Sequence, residues 1–551
     1  MGALSDSAAK LRGSAADSIF ELKVLREAGV IGPQRPDKSV KKLATLVRWG
    51  ASPATGIATA AIGYPHEIGV VDERGALSFE RLHRRSNALA RSFAAMGIGH
   101  EDGVGIMCRN HRGFIEATLA AAKLGASALY LNTMFAGPQL VEVTQREKPK
   151  ALVYDSEFAD LLEGVDDSVA RVIGWVDDGE EPGEATLEQL IATGSEADLK
   201  PPPDKPRFVI LTSGTTGTPK GAQRSSPDGL LGIAALIDKI PFRSRETMMV
   251  AAPLFHSWGF FHFVMSLPTA STMVLRRRFD PEGTLQAVQE SRAQVLAAVP
   301  VMIQRILALP EETLSSYDLS SLRITSLSGS ALPGELALAW MDRFGDSVYN
   351  LYGSTEVAYA TIATPEDLRA APGTAGSPPR GTTVRIVDEA GEELPQGGVG
   401  RIFVGNEMSF EGYTGGGGKE TIDGLLSSGD VGHIDSAGRL FIDGRDDEMI
   451  VSGGENVFPR EVEDLLADHE AVVEAAVIGV EDSEFGQRLK AFVVVKDGVE
   501  IGEDELKAHV KVNLAGYKTP REVEFLEELP RNATGKVLKR DLHAGETQQS
   551  A

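Results

Sequence analysis

The chain of 551 residues has a single cysteine, Cys108. That excludes an intramolecular disulfide framework, suits a reducing cytosol, and means that any thiol chemistry uses a sulfur carried in on a substrate. No apolar run approaches the roughly 20 residues needed to cross a bilayer, and the first residues lack the apolar core of a secretion signal. A soluble, cytoplasmic protein is expected, with a peripheral position at the inner membrane surface as the alternative. Cations are also in deficit. Against 79 Asp and Glu there are 55 Lys and Arg, a net charge of −24, which argues against a broad nucleic-acid surface. A polyphosphate ligand must therefore meet donors placed locally. No internal repeat is visible, and the length requires several packed units.

What the chain does contain is a loop built for phosphate. The apolar run Phe208-Val209-Ile210-Leu211 reads as a buried strand, and Thr212-Ser213-Gly214-Thr215-Thr216-Gly217-Thr218-Pro219-Lys220-Gly221 follows it directly. Glycines allow close backbone approach to a polyanion, hydroxyls supply donors, and Lys220 supplies a point charge. In the common P-loop the Lys follows Gly and precedes Ser or Thr; here Pro219 intervenes, and the ordinary nucleotide-triphosphatase reading fails.

The fold class is α/β. From about 66 to 345 short apolar runs alternate with helical patterns, the texture of parallel sheets covered by helices. The proline-rich 198–206 segment reads as a connection between two such subdomains. Short strands with glycine-rich turns follow from about 375 to 444, a β-rich subdomain. From Arg445 onward a compact α+β unit is legible, with helices expected at Arg460 to His469 and Glu503 to Leu514 and strands at Ala475 to Val480 and Leu489 to Val495. The expected division is an N-terminal extension (1–50), a large domain (51–444) and a small C-terminal domain (445–551). In the extension, Ile19, Phe20, Leu22, Val24 and Leu25 mix with Lys23, Arg26, Lys41, Lys42 and Arg48. A helix packed on the main body is the favoured reading, and a membrane-surface helix the other.

The Thr212 to Gly221 segment resembles the signature loop of the adenylate-forming superfamily, which includes acyl-CoA synthetases. Four further segments match that family in order. Asn350-Leu351-Tyr352-Gly353-Ser354-Thr355-Glu356 looks like its Tyr-Gly-x-Thr-Glu motif, preceded by Ser328-Gly329-Ser330. Ser428-Gly429-Asp430 is similar to its Thr-Gly-Asp element, and Gly444-Arg445-Asp446-Asp447 to its Gly-Arg-x-Asp element. Pro530 to Lys536 resembles its terminal motif. Ser428 stands where threonine is usual, Leu425-Leu426 replace an aromatic pair, and Ser330 stands where glycine is common.

The resemblance implies a large AMP-binding domain of two helix-covered sheets plus a β-rich subdomain, with a small mobile α+β domain at the C-terminus. It implies ATP, Mg2+ and coenzyme A, with Lys536 catalytic and Asp447 the interdomain hinge. Thr212, Ser213, Gly214, Thr215, Thr216, Gly217, Lys220, Gly329, Ser330, Asn350, Leu351, Tyr352, Gly353, Thr355, Glu356, Asp430 and Arg445 would hold the nucleotide, Thr212 and Glu356 the metal, and Gly453, Gly454 and Glu455 the pantetheine passage. Pro253-Leu254-Phe255-His256-Ser257-Trp258-Gly259 resembles the segment flanking the acyl pocket and lacks the aspartate that amino-acid-activating relatives use. His256 would act at the carboxylate, with a structural histidine as the alternative. The expected partner is a small hydrophobic carboxylic acid, a medium- or long-chain fatty acid ahead of an aryl acid. The reaction expected is acid activation through an acyl-adenylate to a CoA thioester. The alternatives are delivery of the acyl group to a carrier protein and a non-catalytic nucleotide-binding relative. Oligomeric state, monomer or homodimer, stays open.

Overall fold

The computed structural model describes residues 16–212, 220–224, 230–408, 410–414, 416–452, 455–482, 486–514, 516–532 and 535–543. Two sheets carry the large lobe. In the first, the strand order is Phe410–Tyr413, Lys220–Arg224, Phe208–Thr212, Ser127–Tyr130, Gly103–Met107, Ala151–Asp155, Ala170–Trp175. The last five are parallel, while Lys220–Arg224 returns antiparallel to Phe208–Thr212. The signature loop thus joins two neighbouring antiparallel strands, and its base is closed by the Thr212–Lys220 pair. In the second sheet the order is Thr361–Ala363, Val348–Tyr352, Ile324–Leu327, Val295–Ala298, Thr247–Val250, Thr272–Leu275, Ile68–Asp72, Gly75–Ser78, with the two outermost pairings antiparallel. Its central strands are wholly buried, Val295–Ala298 apolar throughout and Ile324–Leu327 with Thr325 and Ser326 between apolar ends, as strands covered on both faces are.

A third, antiparallel sheet contains Thr383–Val387, Gly400–Gly405, Leu425–Ile434, Thr421–Ile422 and Leu440–Arg445. The fourth lies in the C-terminal part. There the long hairpin Val472–Asp482 with Gly486–Val495 is flanked by Ile450–Ser452 and by Glu522–Phe525. Helices Pro459–Ala467 and Glu503–Asn513 bury Val462, Leu466, Leu506 and Val510 in its core. The two helices expected there are present within two residues at each end, and the strands run longer than the apolar patterns suggested.

At the N-terminal end, α1 (residues 16–27) is held on the large lobe. Val24, Leu25 and Ala28 join its main core, Asp17 accepts from Arg380 Nε at 2.9 Å, and the same guanidinium lies 4.7 Å from the centre of the Phe20 ring. Then come α2 (Pro36–Trp49), which buries no side chain, and α3 (Pro53–Gly63), capped by Ser52 and packed through Ile57 and Ala60.

Cys108 is fully buried beside Val153 and Asp155. Burial, with the Asp155 carboxylate adding to it, pushes its thiol well above the ordinary cysteine range. Cys108, His111 and Asp155 lie close enough to suggest a metal cluster. Both His111 ring nitrogens are engaged, however: Nε2 meets Asp155 at 2.8 Å and Nδ1 accepts from the Gly113 amide at 3.0 Å. The trio is therefore structural.

Candidate active site

One cavity of about 1380 Å³ runs between the two main sheets, the third sheet and the C-terminal part. Strand Val348–Tyr352 delivers the Tyr-Gly-x-Thr-Glu segment to it, so that motif begins inside a strand. The chain then turns sharply at Gly353, where a Cβ would stand 2.3 Å from the Ala358 carbonyl oxygen; only glycine fits that approach. Asn350 is buried, and its side-chain Oδ1 has no partner among the described residues. Such an orphaned acceptor in a cavity wall is an unmet hydrogen bond.

Ser428-Gly429-Asp430 sits within the ten-residue strand Leu425–Ile434, where a turn is the commoner setting for a Gly-Asp pair. Gly429 adopts φ +81°, and next to it Asp430 points into the cavity wall. Tyr352 donates its hydroxyl to Asp430 Oδ2 at 2.5 Å and Arg445 Nη1 donates to Oδ1 at 3.3 Å. Burial raises the Asp430 carboxyl pKa, opposed by Arg445, by the Tyr352 hydrogen bond and by the nearby charges of Lys536 and Lys419. Burial, with the Asp430 charge beside it, pushes the Tyr352 phenol well upward, fixing it as a donor. The Ser428 departure is chemically mild. Its hydroxyl donates to the Ile402 carbonyl at 3.1 Å and accepts from the Asp430 amide at 3.1 Å, which orients the aspartate. Leu425 packs with Val387 and Phe403.

Glu356 accepts from Tyr413 Oη at 2.7 Å through Oε1 and from Ser354 Oγ at 3.0 Å through Oε2. Tyr413 also lies under Lys220, whose ammonium is 5.4 Å from its ring centre. Sequence reasoning missed Tyr413. It precedes a glycine run that reads as a solvent loop, and its role depends on strand Phe410–Tyr413 adding to the edge of the first sheet, a pairing no local pattern announces. Thr414 completes that edge, accepting from the Gly221 amide at 3.1 Å and donating to Glu147 at 2.5 Å.

Lys536 comes from the other side. Its hairpin is closed by the Asn532 amide donating to the Lys536 carbonyl and by the Lys536 amide donating to Asn532 Oδ1, both 2.9 Å. Arg531 donates to the Gly535 carbonyl at 2.5 Å and pairs with Glu474. Gly535, at φ +78°, rests on the large lobe, where an added Cβ would come within 2.3 Å of Val301 Cγ1 on helix Pro300–Leu307. Val301 is the second neighbour of a candidate site residue that the sequence did not reveal.

His256 precedes helix Ser257–Ser266 and is half-buried in the cavity wall, with Nε2 out of solvent and unpartnered among the described residues. Burial alone lowers its pKa to about 4, so the ring is neutral at pH 7. Trp258 is fixed by Nε1 donating to the Ala298 carbonyl at 3.1 Å, and Phe261 stacks on it. The aromatic cluster divides. Trp258, Phe260 and Phe261 face the cavity, whereas Phe263 belongs to the core.

Lys220, Gly329, Ser330, Asn350, Leu351, Tyr352, Gly353, Thr355, Glu356, Asp430, Arg445, His256 and Lys536 all line this single cavity. Ser213, Gly214, Thr215, Thr216, Gly217, Gly453 and Gly454 lie outside the described residues, as do the side chains of Thr212, Asp447 and Glu455.

The sequence profile of the AMP-binding enzymes matches residues 57–414, and that of their C-terminal domain matches 461–536. A feruloyl-CoA synthase from Amycolatopsis is 34% identical over 488 residues, 86% of this chain and 95% of the relative. An indoleacetate–CoA ligase from Aromatoleum aromaticum is 32% identical over 474 residues, 85% and 92%. The ATP-bound structure of MatB from Rhodopseudomonas palustris superposes with a TM-score of 0.79 at 28% identity, covering 89% of this chain and 98% of that one. The chain therefore belongs to the AMP-binding enzymes, the adenylate-forming superfamily, within its acyl-CoA synthetase family.

Proposed function

We propose that the protein activates a hydrophobic carboxylic acid with ATP and transfers the acyl group to coenzyme A, releasing pyrophosphate and AMP. The observation that carries this reading is the meeting of Lys536 with the Asp430–Arg445–Tyr352 cluster and Glu356 in a cavity that continues into an apolar arm. In the first half-reaction the acid's carboxylate oxygen bonds to the α-phosphorus and the bond to pyrophosphate breaks. Negative charge grows on the phosphorus oxygens, and fixed donors aimed there lower the barrier. Lys536 meets that charge, Thr355 and Lys220 hold phosphate oxygens, and the Asp430 carboxylate accepts from the ribose hydroxyls. The unpartnered Asn350 oxygen supports an exocyclic amine of adenine as its donor. Glu356 and Thr212 are the hard-oxygen residues suited to Mg2+, which when bound neutralises charge on the phosphates. His256, neutral and with a bare ring nitrogen, is suited to hydrogen-bond near the reacting carboxylate.

In the second half-reaction a thiolate sulfur bonds to the acyl carbon and AMP departs. Cys108 is sealed in the core, so coenzyme A supplies the sulfur. Lys536 would obstruct that approach, and rotation of the C-terminal domain about Asp447 withdraws it, with Gly453, Gly454 and Glu455 flanking the thiol's path.

The acid's tail occupies the arm walled by Ile233, Leu236, Phe260, Phe261 and Val264. A cavity above the roughly 300–1,000 Å³ of ordinary ligand sites supports a nucleotide together with an extended tail, and so a medium- or long-chain fatty acid. The stacked Trp258 and Phe261 rings and the feruloyl and indoleacetate relatives support an aryl acid as the second reading. Pyrophosphate release measured with hexanoate, decanoate, palmitate, ferulate and indoleacetate, with and without coenzyme A, decides between them. Decanoate or palmitate should give the highest kcat/KM and a CoA thioester. Adenylate without thioester from every acid would favour delivery to a carrier protein and overturn the ligase reading.

A further inference from the structure

The N-terminal extension lies outside the segment that matches the AMP-binding family, which begins at residue 57, yet it lines the same cavity as the catalytic groups. Leu25, Ile31, Leu43 and Leu46 line it together with the apolar Ile233, Leu236 and Val264. Helix α2 is turned the opposite way to an ordinary surface helix. Val40, Leu43, Ala44 and Val47 recur at i, i+3, i+4 and i+7 of α2, one face, and all are exposed; Val40 is 68% and Val47 79% accessible. The side of α2 that meets the protein carries Lys38 and Lys42, with Leu43 and Leu46 at the cavity. Lys38 donates to the Gly63 carbonyl at 2.7 Å, and the Lys42 ammonium lies 5.2 Å from the Tyr64 ring centre.

On α1 the buried Val24, Leu25 and Ala28 leave Ile19 and Leu22 outward, 69% and 57% accessible, among Lys23 and Arg26 and the acids Glu21 and Glu27. Lys41 and Arg48 flank the outward stripe of α2. An apolar stripe held in water asks for an occupant. The exposed charges beside the α2 stripe are Lys41 and Arg48, while Asp37 pairs with Arg35; in a chain with 24 more acidic than basic residues, that local positive excess selects an anionic occupant. A second copy would set these cations against each other, whereas a bilayer with acidic headgroups satisfies both the stripe and the charges.

We propose that α1 and α2 dock on an anionic lipid surface and form the port through which the tail of a membrane-dissolved acid slides into the apolar arm. This rests on the acid-activating reading above for its substrate, while the docking itself is measured without turnover. The full chain is sedimented with vesicles of phosphatidylcholine alone or with 30 mol% phosphatidylglycerol (about that fraction suffices to charge the surface), and compared with Val40→Glu/Val47→Glu. Neither of those side chains lines the cavity. The native chain should bind the anionic vesicles and be released by salt, and the variant should bind them at least roughly tenfold more weakly. The variant should convert water-soluble hexanoate at the native rate and vesicle-dissolved palmitate at least roughly tenfold more slowly. Equal vesicle binding by variant and native chain would overturn the docking. So would a lipid-free dimer that the variant dissolves, which would make the stripe an interface between copies. Vesicle binding lost without any change in palmitate conversion would overturn the port. Absence of turnover with every acid, alongside native vesicle binding, would instead count against the ligase reading.

Discussion

Substituting Gly535 by alanine should disable adenylate formation while leaving Lys536, the proposed catalytic group, in the sequence. Two separate costs arise when the hairpin docks. The first is conformational, since φ is +78° and a non-glycine residue in that region costs about 1–2 kcal/mol. The second is steric. The new methyl would stand 2.3 Å from Val301 Cγ1, and a β-branched side chain on a helix has little rotamer freedom to yield, so overpacking adds about 1–3 kcal/mol. If both fall on the state that presents Lys536, the penalty of about 2–5 kcal/mol slows pyrophosphate release roughly thirty-fold to a few thousand-fold. The assay is release from acid and Mg2+-ATP without coenzyme A, set beside thioester formation from preformed acyl-adenylate, which does not need the docked lysine and should stay near the native rate. Val301→Ala should restore the steric share and leave the conformational share. Native pyrophosphate release by Gly535→Ala, or no recovery in the double variant, would refute the argument that this contact seats the lysine.

Lys536→Ala itself should cut adenylate formation by roughly 10²- to 10³-fold, the usual loss for one preorganised donor, with thioester synthesis from preformed adenylate retained; equal loss of both steps contradicts the two-position account. Glu356→Gln should raise the Mg2+ concentration for half-maximal rate roughly tenfold or more, and an unchanged metal titration removes Glu356 from that role. Tyr352→Phe leaves the buried Asp430 short of a donor and should raise KM for ATP more than it lowers kcat, checked by varying ATP at saturating acid. Stability should also fall in acid. His83, His256 and His262 are each held near pKa 4, chiefly by burial, below the unfolded value of about 6.5, so the unfolded chain takes up protons first. Their contribution is complete above pH 6.5 and is withdrawn as the pH falls toward 4, about 1–3 kcal/mol apiece by pH 4.5. Urea midpoints across that range measure it, and His262→Leu should flatten the slope; an unaltered slope rejects the burial argument.

The parts of the site that were legible in the sequence are those where one short segment carries several unusual residues for a shared local reason. Tyr352, Gly353 and Glu356 are an example, because the turn at Gly353 and the side chains around it are set within seven residues. Asp430 and Lys536 were legible as motif members, but their meeting was not, since it depends on packing between residues far apart in the chain. Tyr413 and Val301 were silent because their roles arise from an edge strand and a helix face whose own sequences are ordinary. The apolar residues of α1 and α2 were visible as an amphipathic mixture, yet which face turns outward depends on Val24 and Leu25 entering the core and on Lys38 reaching the end of α3. Periodicity marks a stripe and leaves its direction undefined.

The sealed position of Cys108 bears on how the moving parts can be watched. Its thiol is fully buried and displaced toward the protonated form, so it should resist both maleimide reagents and acylation by a reactive thioester. Two surface cysteines, one on each lobe, could then carry a donor and an acceptor dye without removing the native one, and the proposed swing of Lys536 should be readable as a change in energy transfer during a single turnover.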